Sequence, residues 1–362
     1  MQGGRSLLVP QVRRGAAWRG VVCGDAAGMF RLVVAYSVKQ DSPASGITLR
    51  PTNGAQGFPA DADTGNHKDA FPDSSLMYLI IGAIVVVASM VGGFTMVGGK
   101  LLSLWHVNEI IVICGCALGA YVIATPPKVM KGAMQSTIAL LKGPKYQRTD
   151  YVDLLKLIYE ILMKMRREGT MAIEDHVENP ERSAIFQKYP KIAADHHMLT
   201  FITDCLRLMI GGSMSPHELE SLLEYELETH HQEALEPAHS VQKVADALPG
   251  FGIVAAVLGI ILTMSIVGSA PPAEIGQKVA SALVGTFLGI FLAYGFVGPV
   301  ATAMENRAHD EGKAFEVVKM ALVASLRGYP PSVAIEFARK LLFSGVRPSF
   351  QDLEADLKAA KG

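Results

Sequence analysis

The residues of this chain that invite chemistry fall into a few local patterns. His196-His197 and His230-His231, each with carboxylates nearby, suggest a metal site. Adjacent histidines on a helix diverge, however, and the zinc-protease pattern HExxH fails because His217-Glu218 meets Ser221 where the second histidine is required. The run FTMVGGKLL imitates a phosphate loop, but Phe94 replaces its first glycine and Leu101 the hydroxyl that would hold magnesium. It reads as a helix end and turn. Cys114 and Cys116, two apart on a helix, point about 200° from one another and cannot share a metal within one chain. No nucleophile with a matching base and no cofactor fingerprint remains, so neither an enzyme, a metal nor a cofactor is expected.

Another set of polar groups lies inside long apolar runs. Thr263, Ser265, Ser281, Thr286 and Tyr294 offer hydroxyls that could line a wet path, yet the two runs that hold them contain no interior carboxylate. A proton pathway normally needs a titratable relay group, commonly Asp, Glu or His. If this chain conducts ions, another chain must supply the carboxylate. The same runs carry small-residue strips, Ala255, Gly259 and Thr263 on one and Gly285, Gly289 and Ala293 on the other, which allow close helix approach in lipid.

The elements that position these groups are membrane spans. Of the 362 residues, half are apolar and 19% charged, with a net charge of −1. The balance leans away from a soluble enzyme and gives no sign of nucleic-acid binding. Tyr78 to Val97 is an uncharged run of the ~20 residues needed to cross a hydrocarbon core of about 30 Å. Ile110 to Ala124 is shorter, bounded by Glu109 and by Thr125-Pro126-Pro127-Lys128, and must borrow interfacial residues. Pro249 to Gly268 and Val279 to Val300 complete four spans. The thiols Cys23, Cys114, Cys116 and Cys205 give no disulfide framework.

Lysine and arginine near the membrane stay on the cytoplasmic side. The long loop between the second and third spans holds Lys128, Lys131, Lys142, Lys145 and Arg148 among others, whereas Gly98 to Asn108 and Ser269 to Lys278 each hold one lysine. The expectation is a multi-pass inner-membrane protein with both termini cytoplasmic. It is all-α, divided into a first hairpin at 77–124, a helical cytoplasmic domain at 125–247, a second, channel-lining hairpin at 248–300 and C-terminal cytoplasmic helices at 301–362. Residues 1–76 differ in composition and contain the stretch DSPASGITLRPTNGAQGFPADADTG. They read as disordered, or as an extension ahead of a native start at Met77.

In the cytoplasmic part, Tyr151, Leu154, Leu155, Ile158, Ile161, Leu162 and Met165 form the stripe of an amphipathic helix that Gly169 ends. Arg166 lies at the stripe's edge, close to the acidic stretch Glu174, Asp175, Glu178 and Glu181, so local ion pairing would be its ordinary role. Ser215-Pro216-His217-Glu218 reads as a capped helix start, and an acidic helix follows. Pro249 and Pro299 stand at the cytoplasmic edges of the third and fourth spans, where proline bends helices and frees carbonyls.

The segments GTMAIEDHVENPERSAIFQKYP, LPGFGIVAAVLGI, ALVGTFLGIFLAYGFVGP and VAIEFARKLLFSGVRPSF resemble, in order and spacing, the MotA family of flagellar motor stator subunits, from Met77 onward. That resemblance implies a ring of MotA-type chains, thought to be five, around a dimer of MotB, whose membrane aspartate carries the proton. It implies that Arg166, Glu174 and Glu226 face the rotor and engage its switch protein FliG. It further implies that Pro249 and Pro299 couple ion passage to movement of the cytoplasmic domain, and that Thr286 faces the channel. Sodium-driven relatives place a hydroxyl seven residues after the third span's leading proline; Ala256 stands there in this chain, which points to protons. The alternative is an energiser of envelope transport of the TolQ and ExbB kind, which has one span before the large loop where this chain has two.

Overall fold

A computed structural model describes residues 74–212 and 214–359, in which every regular element is helical. Readings that fall on residues 1–73 lie outside the described residues. Helix α1 is Ser74–Met96, and a short 3₁₀ turn at Leu101–Leu104 leads into α2, Val107–Ala124. α3 (Pro127–Leu140) and α4 (Arg148–Glu168) enter a helical lobe, followed by the short α5 (Glu174–Glu178) and α6 (Pro190–Ala193), then α7 (His196–Gly211). Two rods dominate the rest: α8 (Pro216–Met264) alone, and α9 (Pro272–Leu292) joined by a π-turn at Ala293–Val297 to α10 (Gly298–Leu326). α11 (Pro331–Leu341) and α12 (Phe350–Ala359) close the chain.

Among the described residues four segments are long and apolar enough to cross a membrane: Met77–Met96, Leu101–Ala124, and parts of Pro216–Met264 and Pro272–Leu326. The second of these explains how a short apolar run can span. α2 alone, at 18 residues, is about 27 Å long, slightly under the hydrocarbon thickness, and the preceding 3₁₀ turn adds the remainder.

The acidic helix and the third span, which look separate in sequence, form one 49-residue helix. It begins where the sequence indicates, with a reciprocal capping box between Ser215 and Glu218. It then runs through Pro237 and Pro249 without ending. Each proline removes one i to i−4 hydrogen bond, a local cost that lateral packing along both sides offsets. Ala238, Ala245 and Leu248 are buried between the two prolines, and Gly252 and Ala255 beyond the second.

The lobe is built around α4. Leu155, Leu157 and Ile158 are fully enclosed, and the cluster extends through Ile202 and Leu206 of α7, Val318 and Leu322 of α10, and Ile335 and Ala338 of α11. The stripe read from periodicity faces this core, but Leu157 and Tyr159 are buried too, so α4 is wrapped on more sides than one stripe requires. Leu155→Ala is expected to cost about 2–5 kcal/mol, seen as a lowered thermal midpoint of the detergent-solubilised chain by circular dichroism.

Candidate functional site

The third and fourth spans meet along a seam of small residues. A methyl group built on Gly252 would lie 2.9 Å from the Gly285 carbonyl oxygen and 3.3 Å from Thr286 Cα. One on Gly259 would lie 2.7 Å from Ala282 Cβ, and one on Gly289 would lie 2.6 Å from the Leu248 carbonyl oxygen. Backbone therefore touches backbone, which lipid-embedded helices achieve only with residues of this size. Ala293 and Thr263 are completely buried at the two ends of the strip.

Ala256 and Thr286 sit at one level of this seam. The Ala256 nitrogen lies 3.3 Å from where a Gly285 Cβ would stand, next to Thr286 in sequence. The Thr286 hydroxyl is half-buried and has no hydrogen-bond partner among the described residues, leaving it available to another chain. The other hydroxyls do not gather into a path. Thr263 is sealed and bonds back to the Gly259 carbonyl at 2.7 Å, Ser265 bonds back to Leu262 at 2.7 Å, and Tyr294 points outward. Ser281 instead meets His106 Nδ1 at 3.1 Å, across from the mouth of α2.

Pro249 and Pro299 occupy different settings. Pro249 lies within α8, beside the Leu248 carbonyl that presses on Gly289. Pro299 is exposed, and the helix ahead of it widens into the π-turn Ala293–Val297. A ring that clashes with the carbonyl of the preceding turn is relieved by such a widening.

In the lobe, Arg166 ends α4 and Glu174 opens α5, on either side of Gly169, whose φ of 87° turns the chain. Both side chains are exposed. Neither makes an ion pair among the described residues, so the local pairing that sequence proximity suggests does not form. α5 is held in place by Arg207 of α7, which bridges Glu178 at 2.8 Å and Asp204 at 2.7 Å. Glu226 lies apart from that pair, in a shallow hollow on α8 with Leu222, Tyr225, Thr229, His230 and Glu233. Partial burial, with the like charge of Asp204, pushes its carboxyl above the ordinary range.

The histidines pair as rings. His231 and His309 centroids are 4.6 Å apart, and His230 packs on Phe315 at 4.4 Å. Burial, then the neighbouring His197, push His230 below the usual histidine range. Among the described residues no three metal-binding side chains converge.

One residue of the seam does not come from the third and fourth spans. Glu109, in the first turn of α2, occupies the space a Gly285 side chain would fill. The sequence shows it only as a charge at the end of a short apolar run.

A long, multi-spanning pair of rods on one helical lobe, joined by a glycine seam, is the build of a membrane channel subunit. Residues 193–317 match the MotA/TolQ/ExbB proton channel family, and residues 80–169 match the motility protein A N-terminal region. Motility protein A of Salmonella typhimurium is 43% identical over 285 residues, covering 79% of this chain and 96% of that protein. Chemotaxis protein LafT of Vibrio parahaemolyticus is 42% identical over 286 residues, covering 79% of this chain and all of that protein. The flagellar MotAB stator complex from Bacillus subtilis shares the fold, with a TM-score of 0.58 at 23% identity, over 74% of this chain and 97% of that one. The chain belongs to the motility protein A family, the flagellar stator branch of these proton channel proteins. As its relatives are motility proteins, the envelope-energiser reading is set aside.

Proposed function

We propose that five copies of this chain form a ring around a pair of MotB-type membrane helices and convert proton flow into torque on a FliG-type rotor protein. The carrying observation is the seam: the third and fourth spans own no carboxylate, while Thr286 has an unpartnered hydroxyl at the level of Ala256. A carboxylate on a second chain's membrane helix is then needed to carry the proton on through the seam. Both termini lie in the cytoplasm in this reading, so that the lobe and the C-terminal helices face the rotor together. Proton binding on the partner changes the preferred packing along the seam, and the rods α8 and α9–α10 carry that change past Pro249 and Pro299 to the lobe. Arg166, Glu174 and Glu226 meet complementary charge on the rotor, giving a steered and reversible contact.

The test is deletion of the gene together with purification alongside the neighbouring MotB-like partner and direct subunit counting. Loss of swimming and a five-to-two complex are expected; swimming that survives deletion removes the reading. Because Ala256 stands where a sodium-coupled channel has a hydroxyl, motor speed is expected to follow the proton gradient. Speed that tracks external sodium at constant proton-motive force would overturn that assignment.

A further inference from the structure

Glu109 is the one buried side-chain polar group among the described residues with an unpartnered atom: its Oε2 accepts no hydrogen bond, and the residue is only 9% exposed. This oxygen is aimed into the seam. It takes the place of a Gly285 Cβ, next to Ala255 Cβ and the Ala256 nitrogen, whose own hydrogen bonding belongs to the helix. The missing side chain of Gly285 thus leaves a slot that a carboxyl from another helix fills.

The setting restricts the charge that this carboxyl can hold. Neither the third nor the fourth span carries an acidic or basic side chain, and α1 carries none within the membrane. The titratable neighbour is His106, in the turn ahead of α2, which is itself held by Ser281 of the fourth span. A carboxylate enclosed among alanine and glycine without a donor is far costlier than a neutral carboxyl. The carboxyl lies against Gly285, the residue before Thr286, yet it belongs to the first turn of α2, which in the proposed topology faces the periplasmic loops.

We propose that Glu109 is a proton-binding site owned by this chain, filled from the periplasmic side when the first hairpin seats on Gly285 and emptied when it lifts. This deepens the proton-channel reading above and rests on it. The step is a proton transfer alone. An O–H bond forms at Glu109 as hydronium in the periplasmic water becomes water, and it breaks when the carboxyl leaves the slot and a water or the partner chain's carboxylate accepts the proton. Proton uptake thereby favours the closed seam, and a lower external pH holds α2 against the fourth span.

The test uses the full chain with its membrane partner in lipid vesicles, by pH-titrated infrared difference spectroscopy. The wild-type complex is expected to show a protonated-carboxyl stretch that titrates with external pH and is absent from Glu109→Gln. Glu109→Asp, whose shorter carboxyl stays titratable, is expected to shift the band without abolishing it. In cells, Glu109→Gln is expected to lose most of the dependence of motor speed on external pH, with Glu109→Asp restoring part of it. Identical spectra for wild type and Glu109→Gln overturn the proposal. Should Glu109→Gln fail to assemble, the Glu109→Asp comparison decides: a shifted band supports the proposal and an unshifted band overturns it. Failure of the channel reading itself would show differently, as swimming unchanged on gene deletion, whatever the spectra report.

Discussion

Arg166→Glu is expected to abolish or nearly abolish swimming while leaving the chain folded and inserted. The side chain is exposed at the end of α4 and has no ion-pair partner among the described residues, so its reversal breaks nothing internal. A positive charge at a helix C-terminus is favoured by about 0.3–1 kcal/mol, and losing that leaves a domain with this core intact. The proposed rotor contact is different, because reversal would turn an attraction into a repulsion at close range. Tethered-cell torque with membrane-protein levels as a control checks the prediction, and an opposite reversal on the rotor is expected to restore part of the torque. Normal swimming by Arg166→Glu cells would remove this contact. Elevated ionic strength at the lobe should weaken the wild-type contact as well, since exposed charges are screened beyond roughly 8 Å in physiological salt.

The second large effect is expected from Gly289→Ala. The added methyl would meet the Leu248 carbonyl oxygen at 2.6 Å and Gly252 Cα at 2.9 Å. Both are backbone atoms, so no side-chain rotation relieves the clash, and the third and fourth spans must separate. Overpacking of this kind costs about 1–3 kcal/mol, and here it also disturbs the stretch of seam that holds Ala256 and Thr286. A lower thermal midpoint and loss of torque are expected together. Gly119→Ala in α2 is the matched control: nothing lies within 4 Å of its added methyl, and alanine is the better helix former by about 1 kcal/mol. That variant is expected to keep wild-type swimming. If Gly289→Ala swims normally and Gly119→Ala does not, the seam is not where the spans are held.

The two variants also mark the boundary of what a reader of the sequence can see. Gly119 and Gly289 are both glycines in apolar runs, and both belong to spacings compatible with small-residue packing. Only the positions of Leu248 and Gly252 tell them apart. Likewise, Arg166 lies eight residues from Glu174 in an arrangement that suggests local pairing, and the turn at Gly169 leaves both charges open.

The sequence by itself determined the four apolar segments, the amphipathic α4, the capped start of α8 and the family, because each is a local pattern of composition, period or motif carried within one stretch of chain. The tertiary structure alone decided that the acidic helix and the third span are a single rod through two prolines, since lateral packing and not local propensity sets whether such a helix continues. It alone placed the Glu109 carboxyl in the Gly285 slot. That contact joins helices from opposite halves of the chain, and hydrophobic periodicity, which records how a helix faces a core, carries no record of which distant side chain will fill a particular space.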